Sequence, residues 1–128
     1  MNAAAAGKTY PGSTFVVDPR RVGAFRAVFD EDTGVPATFA TAAEFSMIPE
    51  IVADPEVGID FTRVLHGGQE YAFERPLREG ESLTVESTIE SIKGFGGNSI
   101  LVLVTRLAEP SGVVVCTARS TLIERAAG

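Results

Sequence analysis

The chain is poor in the residue types that mark disulfide-bonded, metal-binding and nucleic-acid-binding proteins. Its 128 residues include a single cysteine, Cys116, which excludes an internal disulfide and any site that needs several cysteine ligands. Only 11 residues are Lys or Arg against 17 Asp and Glu, and the resulting net charge of −6 argues against binding to a phosphate backbone. No apolar run approaches the roughly 20 residues of a membrane span. We therefore expect a cytoplasmic protein with no metal site, no nucleic-acid partner and no membrane partner.

The length and the apolar content of 45% fit one domain with a substantial core. The chain opens with small, uncharged residues, without the charged start and sustained apolar core of a signal peptide. These features predict a flexible amino-terminal tail over residues 1–12 and a folded domain over residues 13–128.

Two helical segments are predicted before a run of strands. Asp18 followed by Pro19 is typical of a helix start, so a helix should begin at about Pro19. A second, alanine-rich helix should start near residues 36–38 and run to Met47. Pro49, two residues later, should force a break or kink.

After Asp60 the apolar pattern becomes alternating, as in a sheet with one solvated face. One face of a strand is predicted to carry Leu83, Val85, Ser87, Ile89 and Ser91. Longer apolar runs at residues 100–104 and 113–116 indicate strands central in the sheet or covered on both faces. The order of elements predicts an α+β domain.

The segment from Val64 to Thr84 carries a more specific pattern: Leu65-His66-Gly67, then Gln69 with an aromatic soon after, then Arg75-Pro76-Leu77 and Gly80-Glu81. In this order the pattern resembles MaoC-like acyl-thioester dehydratases, and the similarity extends from about Val22 to Glu124. It is closest to the non-catalytic subunits and the amino-terminal half-domains of 3-hydroxyacyl dehydratases. The resemblance implies a single hot-dog domain, in which a curved antiparallel sheet wraps around one long central helix. The segment over residues 36–47 is the candidate for that helix.

The resemblance also implies a reaction, the reversible hydration of a trans-2-enoyl thioester to a 3-hydroxyacyl thioester. The substrate would be carried on coenzyme A or acyl carrier protein, with no further cofactor. The family uses an aspartate and a histidine, separated by a short Asn-Pro-containing segment, that hold one water between them. The corresponding segment here, residues 25–39, has acids but neither histidine nor Asn-Pro. The catalytic candidates are therefore His66, the one histidine of the chain, with Asp30 and Asp32.

Further side chains are candidates for binding substrate: Thr38, Phe39, Phe45, Gln69 and Glu70. A helix amino terminus near Thr38 would present N–H groups to a thioester carbonyl. Only one of Gln69 and Glu70 can point inward, because neighbours in a strand face opposite sides. For His66 the plainer interpretation is a strand-end residue that bonds backbone groups, and the catalytic interpretation stays open beside it.

Three functional hypotheses follow from the missing acid–base segment. The first is a substrate-binding or structural subunit whose catalytic MaoC-like partner supplies the aspartate and histidine. The second is an autonomous homodimeric hydratase or thioesterase that uses His66 with Asp30, Asp32 or Glu70. The third is an acyl-thioester-binding module without chemistry. An exposed sheet edge beside the ligand groove predicts a homodimer or a heterodimer with a homologous subunit.

Overall fold

A five-stranded antiparallel sheet forms the body of the molecule, and the computed structural model describes residues 1–28 and 34–127. The strands are β1 (Thr9–Val16), β2 (Val64–Phe73), β3 (Ser82–Phe95), β4 (Asn98–Ala108) and β5 (Val114–Glu124). The helices are α1 (Pro19–Val28), α2 (Ala40–Phe45) and α3 (Ile48–Ala53), with 3₁₀ turns at Ala3–Ala5, Ala37–Phe39 and Phe61–Arg63. The predicted α+β class is confirmed.

The strand order β1-β3-β4-β5-β2 leaves β1 and β2 at the edges of this sheet. Strand β4 lies at its centre, between β3 and β5, which confirms the central position predicted from the long apolar run. Its Leu101, Leu103 and Leu107 are fully buried. Burying one such side chain stabilises the fold by about 1.5–3 kcal/mol relative to leaving it exposed.

The core fills the space between the sheet and the helices. Strand β3 contributes Leu83, Val85 and Ile89, as its alternation predicted, and the helical side contributes Met47 and Ile51. The prediction fails at Ser91. The pairing of β3 with β4 shifts register between Ile89 and Ser91, and an extra residue at such a bulge moves the following side chains to the opposite face. Ile92 is consequently the buried residue, at 8% exposure, in place of Ser91.

The helices begin where the sequence predicts, but the central helix is interrupted. Helix α1 starts at Pro19, and the Asp18 carboxylate accepts a hydrogen bond from the Arg20 N–H at 2.9 Å. In place of one long helix over residues 36–47, a 3₁₀ turn leads into α2, and the chain breaks before α3. Pro49 lies in the first turn of α3, where its missing N–H costs nothing, so the break falls just before it. None of the described helices is long and apolar enough to cross a membrane.

The amino-terminal residues pack onto the domain, which corrects the expected tail over residues 1–12. Strand β1 begins at Thr9, and Tyr10 is buried with only 3% exposure. Its hydroxyl donates to the Asp54 carboxylate at 2.8 Å, and Ala5 is also buried. Pairing of the edge strand β1 with β3 therefore fixes part of the segment that the sequence, with its small side chains, predicts as a flexible tail.

Candidate active site

A pocket of about 260 Å³ lies between the α2–α3 segment and strands β2 and β5, and is lined by Phe45, Ile48, Phe61, Val64, His66, Ser120 and Leu122. Five of these residues are apolar, and two, His66 and Ser120, are polar. Several come from β2 or the turn before it, so the pocket lies beside a free edge of the sheet. An apolar lining with a few polar groups is typical of ligand sites, and the volume suits part of a ligand, since whole sites usually measure about 300–1,000 Å³.

A bulge in β2 brings His66 to this pocket. The pairing of β2 with β5 shifts register between His66 and Gly68, so His66 and Gln69, three residues apart, both point to the helix side. The chain passes close to β5 at this point, because a Cβ on Gly67 would lie 2.7 Å from Ile123 Cδ1. Without the bulge, strict alternation would place these two side chains on opposite faces.

The His66 ring is exposed and stands edge-on to Phe45, with 6.2 Å between the ring centroids. Across residues 1–28 and 34–127, no carboxylate or backbone group hydrogen-bonds its side chain. The ring is therefore available to a ligand in the pocket. The predicted acidic partners Asp30 and Asp32 lie outside the described residues.

Behind the pocket lies a buried polar cluster, which we define as Glu44, Gln69 and Ser120. Glu44 has no exposed surface, and its Oε2 accepts a hydrogen bond from Gln69 Nε2 at 2.8 Å. The Ser120 hydroxyl is in hydrogen-bond contact with Glu44 Oε1 and lies 2.5 Å from Gln69 Oε1. Gln69 and Ser120 are direct partners in the β2–β5 pairing, and Ser120 reaches the pocket wall. The cluster thus joins α2, β2 and β5 and connects to the pocket through one hydroxyl.

Two other ionisable groups near the cluster are held in their neutral forms. Burial raises the pKa of the Cys116 thiol to about 11, and the Glu44 carboxylate adds to the effect. Burial likewise raises the pKa of Tyr71, whose hydroxyl shares a hydrogen bond with Thr41. Neither group is an activated nucleophile at neutral pH.

The structure brings only some of the predicted site residues to the pocket. Phe45 and His66 line it, and Gln69 lies behind it in the polar cluster. Glu70 is exposed on the opposite face of β2, so Gln69 is the inward member of that pair. Thr38 is exposed on the 3₁₀ turn and does not line the pocket.

Phe39 belongs to the core and not to the pocket wall. It has 2% exposure and packs against Phe25 and Phe15, with centroid distances of 5.5 and 6.2 Å. Its prediction as a substrate-binding residue is corrected for this reason: the ring is not part of the pocket lining, and it packs between Phe25 of α1 and Phe15 of β1.

Sequence reasoning missed Glu44 and Ser120. Glu44 is an acidic residue on the inward face of an otherwise apolar, alanine-rich segment, where a charged side chain is rarely buried without partners. That pattern was the available signal. Ser120 gave none, because its role depends on pairing with a strand about 50 residues earlier.

The second half of the Val64–Thr84 pattern is structural. The Arg75 guanidinium binds Glu81 Oε1 at 2.6 Å and Glu109 Oε1 at 3.1 Å, and Glu81 also accepts a hydrogen bond from the Arg78 N–H. Burial alone would raise the pKa of Glu81, but the hydrogen bonds from Arg75 and Arg78 outweigh it and lower that pKa below its usual range. Gly80 has a φ of 83°, the left-handed conformation that this turn requires.

No group of three or more His, Cys, Asp or Glu side chains is placed to hold a metal ion in the part of the chain that the structure describes. The chemistry available in the pocket comes from one imidazole, one hydroxyl and a buried carboxyl.

A family model described as the FAS1-like dehydratase domain region matches residues 14–118. The chain belongs to this family. Among its bacterial relatives, the UPF0336 protein of Streptomyces griseus is 38% identical over 125 residues, which cover 98% of this chain and 79% of the relative. The UPF0336 protein of Streptomyces coelicolor is 39% identical over 104 residues, 81% of this chain and 69% of the relative.

Solved structures share the fold. A chain of the HadBC (3R-hydroxyacyl-ACP dehydratase) complex from Mycobacterium tuberculosis matches with a TM-score of 0.83 at 19% identity, over 96% of this chain and 99% of that one. The (R)-hydratase of A. caviae involved in PHA biosynthesis matches with a TM-score of 0.67 at 16% identity, over 91% of this chain and 94% of the hydratase chain. With a MaoC-like dehydratase the TM-score is 0.81 at 20% identity, over 97% of this chain and 43% of that one. The predicted hot-dog fold of the MaoC-like type is confirmed.

Proposed function

We propose that this chain is the acyl-thioester-binding subunit of a 3-hydroxyacyl-thioester dehydratase, with a catalytic MaoC-like partner that supplies the aspartate and histidine. One observation carries the proposal: an apolar pocket beside a free sheet edge contains a histidine that has no acidic partner among the described residues. Acid–base catalysis of hydration needs two groups around one water. A pocket with one such group can hold the acyl chain while another subunit carries out proton transfer.

The proposed substrate is a trans-2-enoyl or 3-hydroxyacyl group carried on coenzyme A or acyl carrier protein. The carrier lies outside the small apolar pocket, which takes only the acyl part. Because the reaction moves a proton and a hydroxyl group, it requires no cofactor in this chain. A cytoplasmic location fits this role, and the single cysteine favours a reducing compartment.

The free edge of β2 is the proposed contact with the partner. Beside it Phe61 and Leu65 are 55% and 53% exposed, and an unpaired edge strand invites pairing with another sheet. We expect a dimer in solution, either of this chain alone or with the homologous catalytic subunit. Native mass spectrometry at micromolar concentration checks this, and a strictly monomeric mass with no partner recovered from the source cells contradicts it.

The decisive experiment compares hydration of an enoyl-CoA by the purified chain, by the catalytic partner and by the two mixed. We expect the chain alone to bind an acyl thioester yet hydrate it little above background, and the mixture to be active. A mixture in which the partner's catalytic histidine is replaced serves as the control and should be inactive.

A second candidate, an autonomous homodimeric hydratase or thioesterase, is favoured by one observation: His66 and Ser120 line the same pocket, and Ser120 contacts the buried Glu44. Robust turnover by a homogeneous sample, abolished by changing His66, Asp30 or Asp32, would replace the first proposal with this one. If the chain binds acyl thioesters but no turnover occurs with or without a partner, the remaining interpretation is an acyl-thioester-binding module without chemistry.

A further inference from the structure

A second cavity, of about 330 Å³, adjoins the apolar pocket at the start of β2. We call it the basic pocket, and it is lined by Thr62, Arg63, Val64, Leu65, Arg125 and Ala126. Val64 lines both cavities. The 3₁₀ turn Phe61–Arg63 also contributes to both, since Phe61 lines the apolar pocket and Arg63 lines the basic one. A ligand in the apolar pocket therefore lies next to two arginines.

One of these arginines carries a charge that the described residues do not neutralise. Arg63 is paired with Asp60, at 3.0 Å from Nε to Oδ2, and its Nη1 donates to the Arg125 carbonyl at 2.7 Å. The Arg125 N–H donates to the Arg63 carbonyl at 2.9 Å, so the two residues hold each other in place. The Arg125 side chain is exposed and pairs with no carboxylate within residues 1–28 and 34–127. Because the net charge of the chain is −6, this cation favours an anion only at close range, within the basic pocket itself.

We propose that the two cavities together bind an apolar chain that ends in a carboxylate, with the chain in the apolar pocket and the carboxylate at Arg125. Burial of the chain removes apolar surface from water, and the planar guanidinium matches the two oxygens of a carboxylate. The inference goes beyond the proposed function, because a thioester group is uncharged and would gain no ion pair with Arg125.

A carrier phosphate does not suit this arrangement. In an acyl thioester the long pantetheine arm separates the phosphate from the acyl group, whereas the two cavities share a wall at Val64. The anionic group must therefore lie close to the chain itself. Two ligands meet this condition: a free fatty acid, and an acyl thioester whose far end carries a second carboxylate.

The test measures the binding of octanoate, octanol and acetate to the purified chain by titration calorimetry. We expect octanoate to bind roughly tenfold more tightly than octanol, which corresponds to about 1.4 kcal/mol, because only octanoate carries a charge. Acetate lacks the chain and should not bind measurably. A higher salt concentration should weaken the binding of octanoate and leave that of octanol unchanged, because ions screen the contact with an exposed arginine.

Three variants examine where the ligand binds. Arg125→Gln should bring the affinity for octanoate down to that for octanol, with an unchanged melting temperature because the side chain is exposed. Arg106→Gln, the same change at an exposed arginine of β4, is the matched control and should keep the preference for octanoate. Ile48→Phe narrows the apolar pocket and should weaken octanoate and octanol alike.

Two thioesters identify the source of the carboxylate: octanoyl-CoA and the CoA thioester of the dicarboxylic acid of the same length. If the dicarboxylic thioester binds more tightly and loses this advantage in Arg125→Gln, the far end of a bound acyl chain reaches the basic pocket. If only octanoate depends on Arg125, the ligand is the free acid. Either result supports the site.

The outcomes separate this inference from the proposed function. If neither carboxylate binds more tightly than its uncharged counterpart, the inference is refuted, and binding of octanoyl-CoA still supports the proposed function. If octanoyl-CoA does not bind but octanoate does so through Arg125, the proposed function fails and the carboxylate site stands. A preference that survives in folded Arg125→Gln refutes the inference. Should that variant fail to fold, a preference of the wild type that does not change with salt refutes it.

Discussion

Replacing Arg75 by Met tests whether the Arg75-Pro76-Leu77 pattern serves the fold or the ligand. The guanidinium bridges the end of β2, the following turn and the loop after β4, through Glu81 at 2.6 Å and Glu109 at 3.1 Å. The side chains of Arg75 and Glu81 are 18% and 16% exposed, more shielded than surface ion pairs, which contribute about 0–1 kcal/mol. Breaking a fully buried pair costs about 3–5 kcal/mol. Because the Arg75–Glu81 pair is intermediate between these two cases, we expect Arg75→Met to lower the free energy of unfolding by about 2 kcal/mol.

In a domain of this size, that loss should lower the melting temperature by roughly 6–10 °C, as measured by thermal denaturation. Arg106→Met is the matched control, since Arg106 is exposed on β4 and has no ion pair among the residues that the structure describes. Acyl-thioester binding by folded Arg75→Met should be unchanged. A melting temperature equal to that of the control, together with lost binding, would refute the structural role.

The Arg75–Glu81 pair also predicts how the stability of the fold depends on pH, and the sign follows from the pKa of Glu81. Its pKa in the folded state lies below the ordinary value of 4.5, because the bonds from Arg75 and Arg78 outweigh burial. A lowered pKa contributes stability that is complete above the unfolded-state value and is lost as the pH falls through the folded-state value. The stability difference between the wild type and Arg75→Met should therefore be constant near neutral pH and shrink as the pH falls below about 4.5.

Three further outcomes are expected. His66→Ala should weaken acyl-thioester binding or turnover tenfold or more, which corresponds to about 1.4 kcal/mol. The melting temperature should be unchanged because the ring is exposed. If the variant is as active per folded molecule as the wild type, His66 is not part of the site. Cys116, with its pKa raised to about 11, should resist iodoacetamide at neutral pH in the native protein and react on unfolding; rapid native labelling contradicts its burial. Gly67→Ala should cost about 1 kcal/mol through Ile123 Cδ1, and Ile123→Val should relieve it; no rescue in denaturant titrations argues against the close approach.

Local signals in the sequence predicted most of the fold. The start of α1 depends on a side chain and an N–H two residues apart, and the turn at Gly80 depends on one backbone angle. The alternation in β3 was right up to Ile89 because each residue there meets one partner in β4. These features need no knowledge of distant parts of the chain.

Features set by distant contacts were not predictable in this way. The bulge after Ile89 buries Ile92 where the alternation predicts a buried Ser91. The bulge at His66 places Gln69 on the same face as the histidine. Nothing in the alternation of polar and apolar residues announces either shift, since each depends on how a neighbouring strand pairs. For the same reason Phe39 was assigned to the substrate, although its partners Phe15 and Phe25 come from other elements.

The two halves of the Val64–Thr84 pattern therefore have different physical roles. In the first half, the bulge beside Gly67 turns His66 and Gln69 to one side, which gives the pocket its imidazole and the cluster its amide. In the second half, Arg75 holds the turn that joins β2 to β3. Strand β2 has a sheet neighbour on one side only, so its position depends on these two anchors: Gln69 bonds it to Glu44 beneath, and Arg75 fixes its far end. Gln69 can thus be essential to the site without touching a ligand, because it holds the part of the edge strand that carries the imidazole, whereas Arg75 acts at the far end of the strand.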